Sequence, residues 1–153
     1  MRKGKLVLYI SEIIIIIIIL NFFGITYVQG NSMQPTLSSG DLVLYLKNME
    51  YKKNDVIIFK SDNANMLLIK RIAATSGEMV EVKDNHILID AKDIGESYYT
   101  ESFEILEKEY FVLGDNLDES EDSRSERIGM ISRSAIIGRA IFRILPLNRW
   151  GKI

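Results

Sequence analysis

Met66-Leu-Leu-Ile-Lys-Arg-Ile-Ala-Ala74 is an apolar run broken only by two adjacent basic residues, and how it is read decides the rest of the chain. In strand alternation, Met66, Leu68, Lys70 and Ile72 share one face while Leu67, Ile69, Arg71 and Ala73 share the other. Lys70 therefore points the same way as apolar neighbours. Such a lysine has two fates. Its head can snorkel to water along its own stem. Alternatively it is desolvated, which moves its pKa down by as much as about 3 to 5 units from about 10.4. A neutral amine of that kind can deprotonate a serine, so a serine partner separates the two readings.

Working outward, short β-branched and apolar segments recur on both sides. They are Leu42-Val-Leu-Tyr-Leu46, Asp55-Val-Ile-Ile-Phe59, Met79-Val-Glu-Val82, His86-Ile-Leu-Ile89, Tyr110-Phe-Val-Leu113, Ala135-Ile-Ile-Gly138 and Ala140-Ile-Phe-Arg-Ile-Leu145. Turn residues separate them at Ser38-Ser-Gly-Asp41, Lys53-Asn-Asp55, Ser61-Asp-Asn-Ala-Asn65, Thr75-Ser-Gly-Glu78 and Asp84-Asn85. The pattern predicts one mainly β domain over residues 29–153. The polar stretch near residues 90–108, with Glu101, Glu104 and Glu107, reads as a small solvated insertion without chemistry of its own.

The amino-terminal part differs in kind. Residues 6–28 hold Glu12 as their only charge and include Ile13-Ile-Ile-Ile-Ile-Ile-Ile-Leu20. About 20 helical residues at about 1.5 Å each cross a hydrocarbon core of about 30 Å, so a transmembrane helix with an exit segment is expected here. A cleavable signal peptide would want a shorter apolar core and a small-x-small site, and a strand would be shorter. Arg2, Lys3 and Lys5 precede the segment and no basic residue follows until Lys47. Residues 1–5 are thus expected on the cytoplasmic side and the domain outside, with the lipid bilayer as a partner. Past residue 20 the chain carries 16 basic and 20 acidic residues, a net charge near −4, which offers no electrostatic case for nucleic acid. Zero cysteines exclude thiol catalysis, thiolate metal sites and disulfides together.

The serine candidate is in Gly30-Asn-Ser-Met-Gln-Pro-Thr-Leu37, where Pro35 and small polar residues argue for a turn exposing Ser32. His86, the single histidine, sits at a hairpin turn and reads as a strand histidine rather than a triad base. Gly114-Asp-Asn-Leu-Asp-Glu-Ser-Glu-Asp-Ser-Arg124 follows an apolar strand. Five carboxylates offer oxygen ligands, but the spacing departs from the twelve-residue calcium loop. The other reading is a hydrogen-bonded loop in which Asp122 pairs with Arg124 while Ser120 and Ser123 project into a site.

Taken together, these segments resemble the bacterial type I signal peptidases, membrane-anchored serine proteases with a Ser-Lys dyad and a β-sheet protease domain shared with self-cleaving repressors. The resemblance spans nearly the whole chain. Ser32-Met-Gln-Pro-Thr-Leu37 is similar to the nucleophile box, Gly40-Asp-Leu-Val-Leu-Tyr and Asn54-Asp-Val-Ile-Ile-Phe59 to the next strand pair, and Ile69-Lys-Arg-Ile-Ala-Ala to the lysine box. Gly114-Asp-Asn, Asp118, Ser120, Asp122-Ser-Arg124, Ile136-Ile-Gly-Arg-Ala140 and Phe142-Arg-Ile-Leu-Pro-Leu-Asn-Arg149 continue it in order. Leu117 stands where the family usually has arginine, Glu119 where it often has asparagine, Ser76 where proline commonly precedes glycine, and Gly30 where some members place an oxyanion-hole serine. Gly30 and the short insertion resemble Gram-positive members.

The resemblance implies Ser32 as nucleophile and Lys70 as general base, with the Ser32 backbone N–H at the oxyanion. It implies Ser120 orienting the Lys70 amine, and Asp115, Asp122, Ser123 and Arg124 supporting the site. It also implies secreted preproteins as substrates, cut after small residues, with no cofactor or metal, at the bacterial cell membrane. A repressor-type protease would want a DNA-binding domain in place of the apolar segment. A catalytically silent membrane-anchored homologue that binds exported chains would be expected to lack one member of the dyad, and both are present.

Overall fold

The computed structural model describes the backbone of residues 2–61 and 66–153, and the side chains of these except 2–4, 6 and 7. Helix α1 (Arg2–Phe22) runs directly into twelve strands: β1 (Phe23–Tyr27), β2 (Leu42–Leu46), β3 (Val56–Ser61), β4 (Met66–Thr75), β5 (Met79–Lys83), β6 (His86–Ile89), β7 (Lys92–Glu96), β8 (Phe103–Glu104), β9 (Glu109–Leu113), β10 (Ile131–Ser132), β11 (Ile136–Leu145) and β12 (Gly151–Lys152). The mainly β architecture expected from the turn-punctuated segments is present. Of the turn read at residues 61–65, positions 62–65 lie outside the described residues.

The large sheet has the order β1-β2-β11-β3-β4-β9-β10, with β12 added to β11, and every pairing in it is antiparallel. A smaller sheet, β7-β6-β5-β8, covers one end. Strand β3 shows why Val-Ile-Ile-Phe does not alternate with polar residues: Ile57 and Phe59 pack into one apolar cluster while Val56 and Ile58 pack into another, so both faces of the strand are buried. The second of these clusters also takes Val28, Met33 and Leu37, which pins the turn carrying Ser32 onto the sheet. A third cluster, with Phe111, Val80, Ile87 and Ile105, lies between the large sheet and the small one.

The amino-terminal expectation needs redrawing. The helix stops at Phe22, and Phe23–Tyr27 is not an exit segment but a strand in register with β2, Phe23 opposite Leu46 and Tyr27 opposite Leu42. Lys47 fixes the junction: its Nζ donates to the Leu20 carbonyl at 3.0 Å and its backbone N–H to the Phe22 carbonyl at 2.8 Å, placing a cation on the negative end of the helix. Among the described residues no helix is long and apolar enough to cross a membrane, so the structure does not show the transmembrane helix expected over residues 6–28. The polar stretch read as an insertion supplies β7 and β8, both members of the small sheet. The two segments read at 135–138 and 140–145 form one strand, β11, bent by a register shift at Gly138.

Candidate active site

Lys70 lies on β4 opposite Ile57 of β3, and the alternation read from the sequence holds: Lys70, Ile72 and Ala74 are buried, with Lys70 only 2% exposed. Burial pushes the Lys70 ammonium down from the ordinary lysine value; Asp122 opposes this and the Arg124 charge reinforces it. Its Nζ donates to Ser120 Oγ at 2.9 Å. The amine is thus held in apolar surroundings by one neutral hydroxyl, which does not stabilise a charge as a carboxylate would.

Ser32 arrives from the other side of the sheet, in the turn that follows Gly30. Gly30 has φ of +83°, a left-handed conformation that glycine adopts without Cβ strain. The turn closes with Gln34 N–H donating to the Asn31 carbonyl at 3.0 Å and Leu37 N–H to the Met33 carbonyl at 2.8 Å. Asn116 N–H donates to the Ser32 carbonyl at 2.9 Å, tying the turn to the loop after β9. That loop also carries Ser120, the acceptor of the Lys70 amine, so the Ser32 turn and Lys70 are both tied to one corner of the fold. Among the described residues, no direct hydrogen bond joins their side chains, and the Ser32 N–H is engaged by no acceptor.

The acidic loop is a hydrogen-bonded scaffold. Buried Asp122 accepts from Gly114 N–H at 3.1 Å and from Arg124 Nε at 2.8 Å. Arg124 in turn donates to the Leu117 carbonyl at 2.7 Å and the Ile94 carbonyl at 2.9 Å, stapling the loop to β7. Fully buried Ser123 accepts from Val112 N–H at 2.9 Å and donates to the Gly129 carbonyl at 2.6 Å. Asp115 does not approach Lys70 by hydrogen bond but clamps Arg71, whose Nε and Nη2 donate to its two oxygens at 2.7 Å each, while Nη2 also reaches Thr36 Oγ1 at 3.3 Å. Neighbours on one strand thus reach different partners: Lys70 bonds Ser120, and Arg71 ties the Ser32 turn to the acidic loop. Among the described residues no cluster of His, Cys, Asp or Glu could hold a metal ion. His86 lies on the small sheet with Nδ1 at 2.9 Å from Asp93, away from this corner.

Gly114 is the residue whose importance sequence reading did not reveal. A Cβ built there would stand 2.2 Å from Ser120 Oγ and 2.5 Å from the Ser32 carbonyl oxygen. Only glycine lets the Ser32 turn and the lysine's hydrogen-bond partner pack on the same backbone. Gly114→Ala should therefore displace one of the two, costing about 1 to 3 kcal/mol of stability as overpacking does. The loss of activity should exceed what that instability explains. Rates at a temperature where the variant remains folded check it; unchanged activity would mean that the corner can open without consequence.

Two grooves flank the corner. The first, about 420 Å³, is lined by Thr26 and Tyr27 at the end of β1 and Val28 just past it, by Gly30 and Ser32, and by residues 66–69 of β4. Strand β4 pairs with β9 only from Arg71 onward, leaving the edge of residues 66–70 on that side without a partner strand among the described residues. The second, about 450 Å³, begins at Arg71 and runs between the two sheets.

The family described as signal peptidase, peptidase S26, matches residues 2–145. A signal peptidase I of Bacillus licheniformis is 28% identical over 96% of this chain and 92% of its own length. Signal peptidase I T of Bacillus subtilis (strain 168) is 30% identical over 79% of this chain and 73% of its own. A solved signal peptidase I from Enterococcus faecalis V583 overlaps 60% of this chain and 97% of that chain at 27% identity, with a TM-score of 0.44.

Proposed function

The chain belongs to the signal peptidase family, and on that premise we propose that it is a membrane-anchored serine endopeptidase that removes amino-terminal signal peptides from exported preproteins, with Ser32 as nucleophile and Lys70 as general base. The observation that carries the reading is the buried, hydroxyl-held Lys70 amine beside the turn of Ser32.

Neutral Lys70 takes the proton of Ser32 Oγ as that oxygen attacks the scissile carbonyl. The developing oxyanion is met by the unengaged Ser32 N–H, a donor whose loss typically costs about 2.7 to 4 kcal/mol in barrier. The protonated Lys70 then delivers its proton to the leaving amine, releasing the mature chain and leaving an acyl ester on Ser32. A water, deprotonated by the same amine, hydrolyses the ester and restores the serine. Ser120 keeps the amine in place throughout, and the Asp122–Arg124 and Asp115–Arg71 pairs hold the loops that supply both partners. The unpaired edge of residues 66–70 accepts the residues before the cut as an added strand, with small side chains turned into the shallow first groove.

Anchoring by α1 is part of the proposal. Residues 13–19 are seven consecutive isoleucines, each about half exposed, and they cover every side of the helix, so no polar face is left for water. A helix apolar all round needs lipid or protein around it. With Arg2, Lys3 and Lys5 at its start, the cytoplasmic end is the amino terminus and the catalytic domain lies outside. Holding enzyme and signal peptide in one bilayer raises their effective concentration.

The test is direct. Detergent-solubilised protein incubated with a labelled preprotein should release one product, and sequencing its amino terminus should place the cut after a small residue at the end of the apolar core. No product, or cuts scattered through the mature part, would overturn the assignment.

A further inference from the structure

We propose that the groove between the two sheets is a subsite for the mature segment of the preprotein just after the scissile bond, and that it prefers an apolar side chain there. This rests on the peptidase reading above. Strand β4 orders the parts: residues 66–69 line the first groove, Lys70 stands between, and Arg71, Ile72 and Ala73 line the second. The first groove is lined by Thr26 and Tyr27 of β1, the strand that follows α1 without a break, which ties it to the segment proposed above as the anchor. A chain lying across Ser32 and Lys70 from that side continues past Gly114 and Asp115, which line the second groove. An extended peptide advances about 3.3 Å per residue, so the distance from Lys70 to Ala73 corresponds to about three substrate residues.

The lining sets the chemistry. Ala73, Leu113 and Leu117 are partly exposed in the groove, and Ile89 and Ile94 close its floor. Of the ionic groups lining the groove, Arg71 is matched with Asp115 and Lys53 with Glu78 and Asp90, while Lys92 is exposed and has no ion pair among the described residues. Apart from Lys92 what remains is apolar surface, and it begins at Arg71, the strand neighbour of Lys70. Leu117 is the residue to vary, since its backbone carbonyl is committed to Arg124 while its partly exposed side chain lines the groove and packs against the third cluster.

Two measurements decide it. Peptides identical up to the cut and differing only at the third residue after it should be cleaved with a kcat/KM about fivefold to tenfold higher for Leu than for Ser. In Leu117→Arg that ratio should fall toward one. A ratio that starts near one, or that survives Leu117→Arg, overturns the subsite. Should the variant fold poorly, or the wild type cut no peptide at all, a second readout stands independently. A photo-crosslinker at that third position, used with the Ser32→Ala protein, should attach near residues 89–94 and 113–117. Attachment only around residues 26–30 or 66–69, or no attachment, overturns the proposal. Absence of cleavage with attachment in the second groove would overturn the peptidase reading and leave the groove assignment supported.

Discussion

Ser32→Ala and Lys70→Ala should each lower kcat/KM for preprotein cleavage by about 10⁴-fold or more, the scale seen when a nucleophile or its base is removed from an acyl-transfer site. Neither loss should come from unfolding. Ser32 sits half-buried in a turn held by backbone hydrogen bonds, with Met33 and Leu37 doing the packing, so removing one hydroxyl leaves the turn intact. Lys70 is different, because its stem fills space beside Ile72. Lys70→Met is the sharper variant: it keeps a stem of similar length and removes only the amine. Lys70→Arg should fail as well, since guanidinium keeps its charge and cannot serve as a base. Initial rates alongside thermal unfolding curves check the set. Substantial turnover by any folded variant, or a double variant far worse than either single one, would break the dyad assignment, because two residues acting as a unit lose activity together.

How legible this was in the sequence depended on the range of the cause. The placement of Lys70 is local: alternation along one strand fixes its face, and the structure buries that face. The strand segments before and after it were equally readable from β-branched runs between turn residues. Phe23–Tyr27 was not, because its apolar residues continue the isoleucine tract without a break, and only pairing with a strand about twenty residues later ends the helix. The small sheet was hidden for a related reason. Strand β7 is polar on its outer face and short, and what ties it to the site is a single Arg124 guanidinium reaching the Ile94 carbonyl. The resemblance implies only that Asp115 supports the site; that it clamps Arg71 is a detail that needs the direction in which each side of β4 faces its loops. Gly114 was visible only as part of the Gly114-Asp-Asn resemblance and not for its steric reason, since a glycine forced by the approach of two distant segments looks like any turn glycine.

The pH dependence should carry the mark of the buried amine. The reaction needs neutral Lys70, so kcat/KM should be low where the amine is protonated and rise with pH through its apparent pKa in the free enzyme. Burial lowers that pKa, so the rise must come below about 10.4, the value for an exposed lysine. Stability follows with the same sign. Protonating a group whose folded pKa is depressed opposes folding, so the protein should gain stability as pH rises from the folded pKa toward the unfolded one. Above both values the penalty vanishes, and below the folded pKa it is complete. A charge that touches neither dyad member gives an independent check. Glu121 raises the Lys70 pKa at a distance while its own carboxylate is exposed and paired with Arg127 at 3.1 Å. Glu121→Gln should therefore move the activity limb toward lower pH without reducing the plateau, an effect that salt would weaken. A limb near 10.4, or one that Glu121→Gln shifts upward, would mean that some other group governs the ionisation.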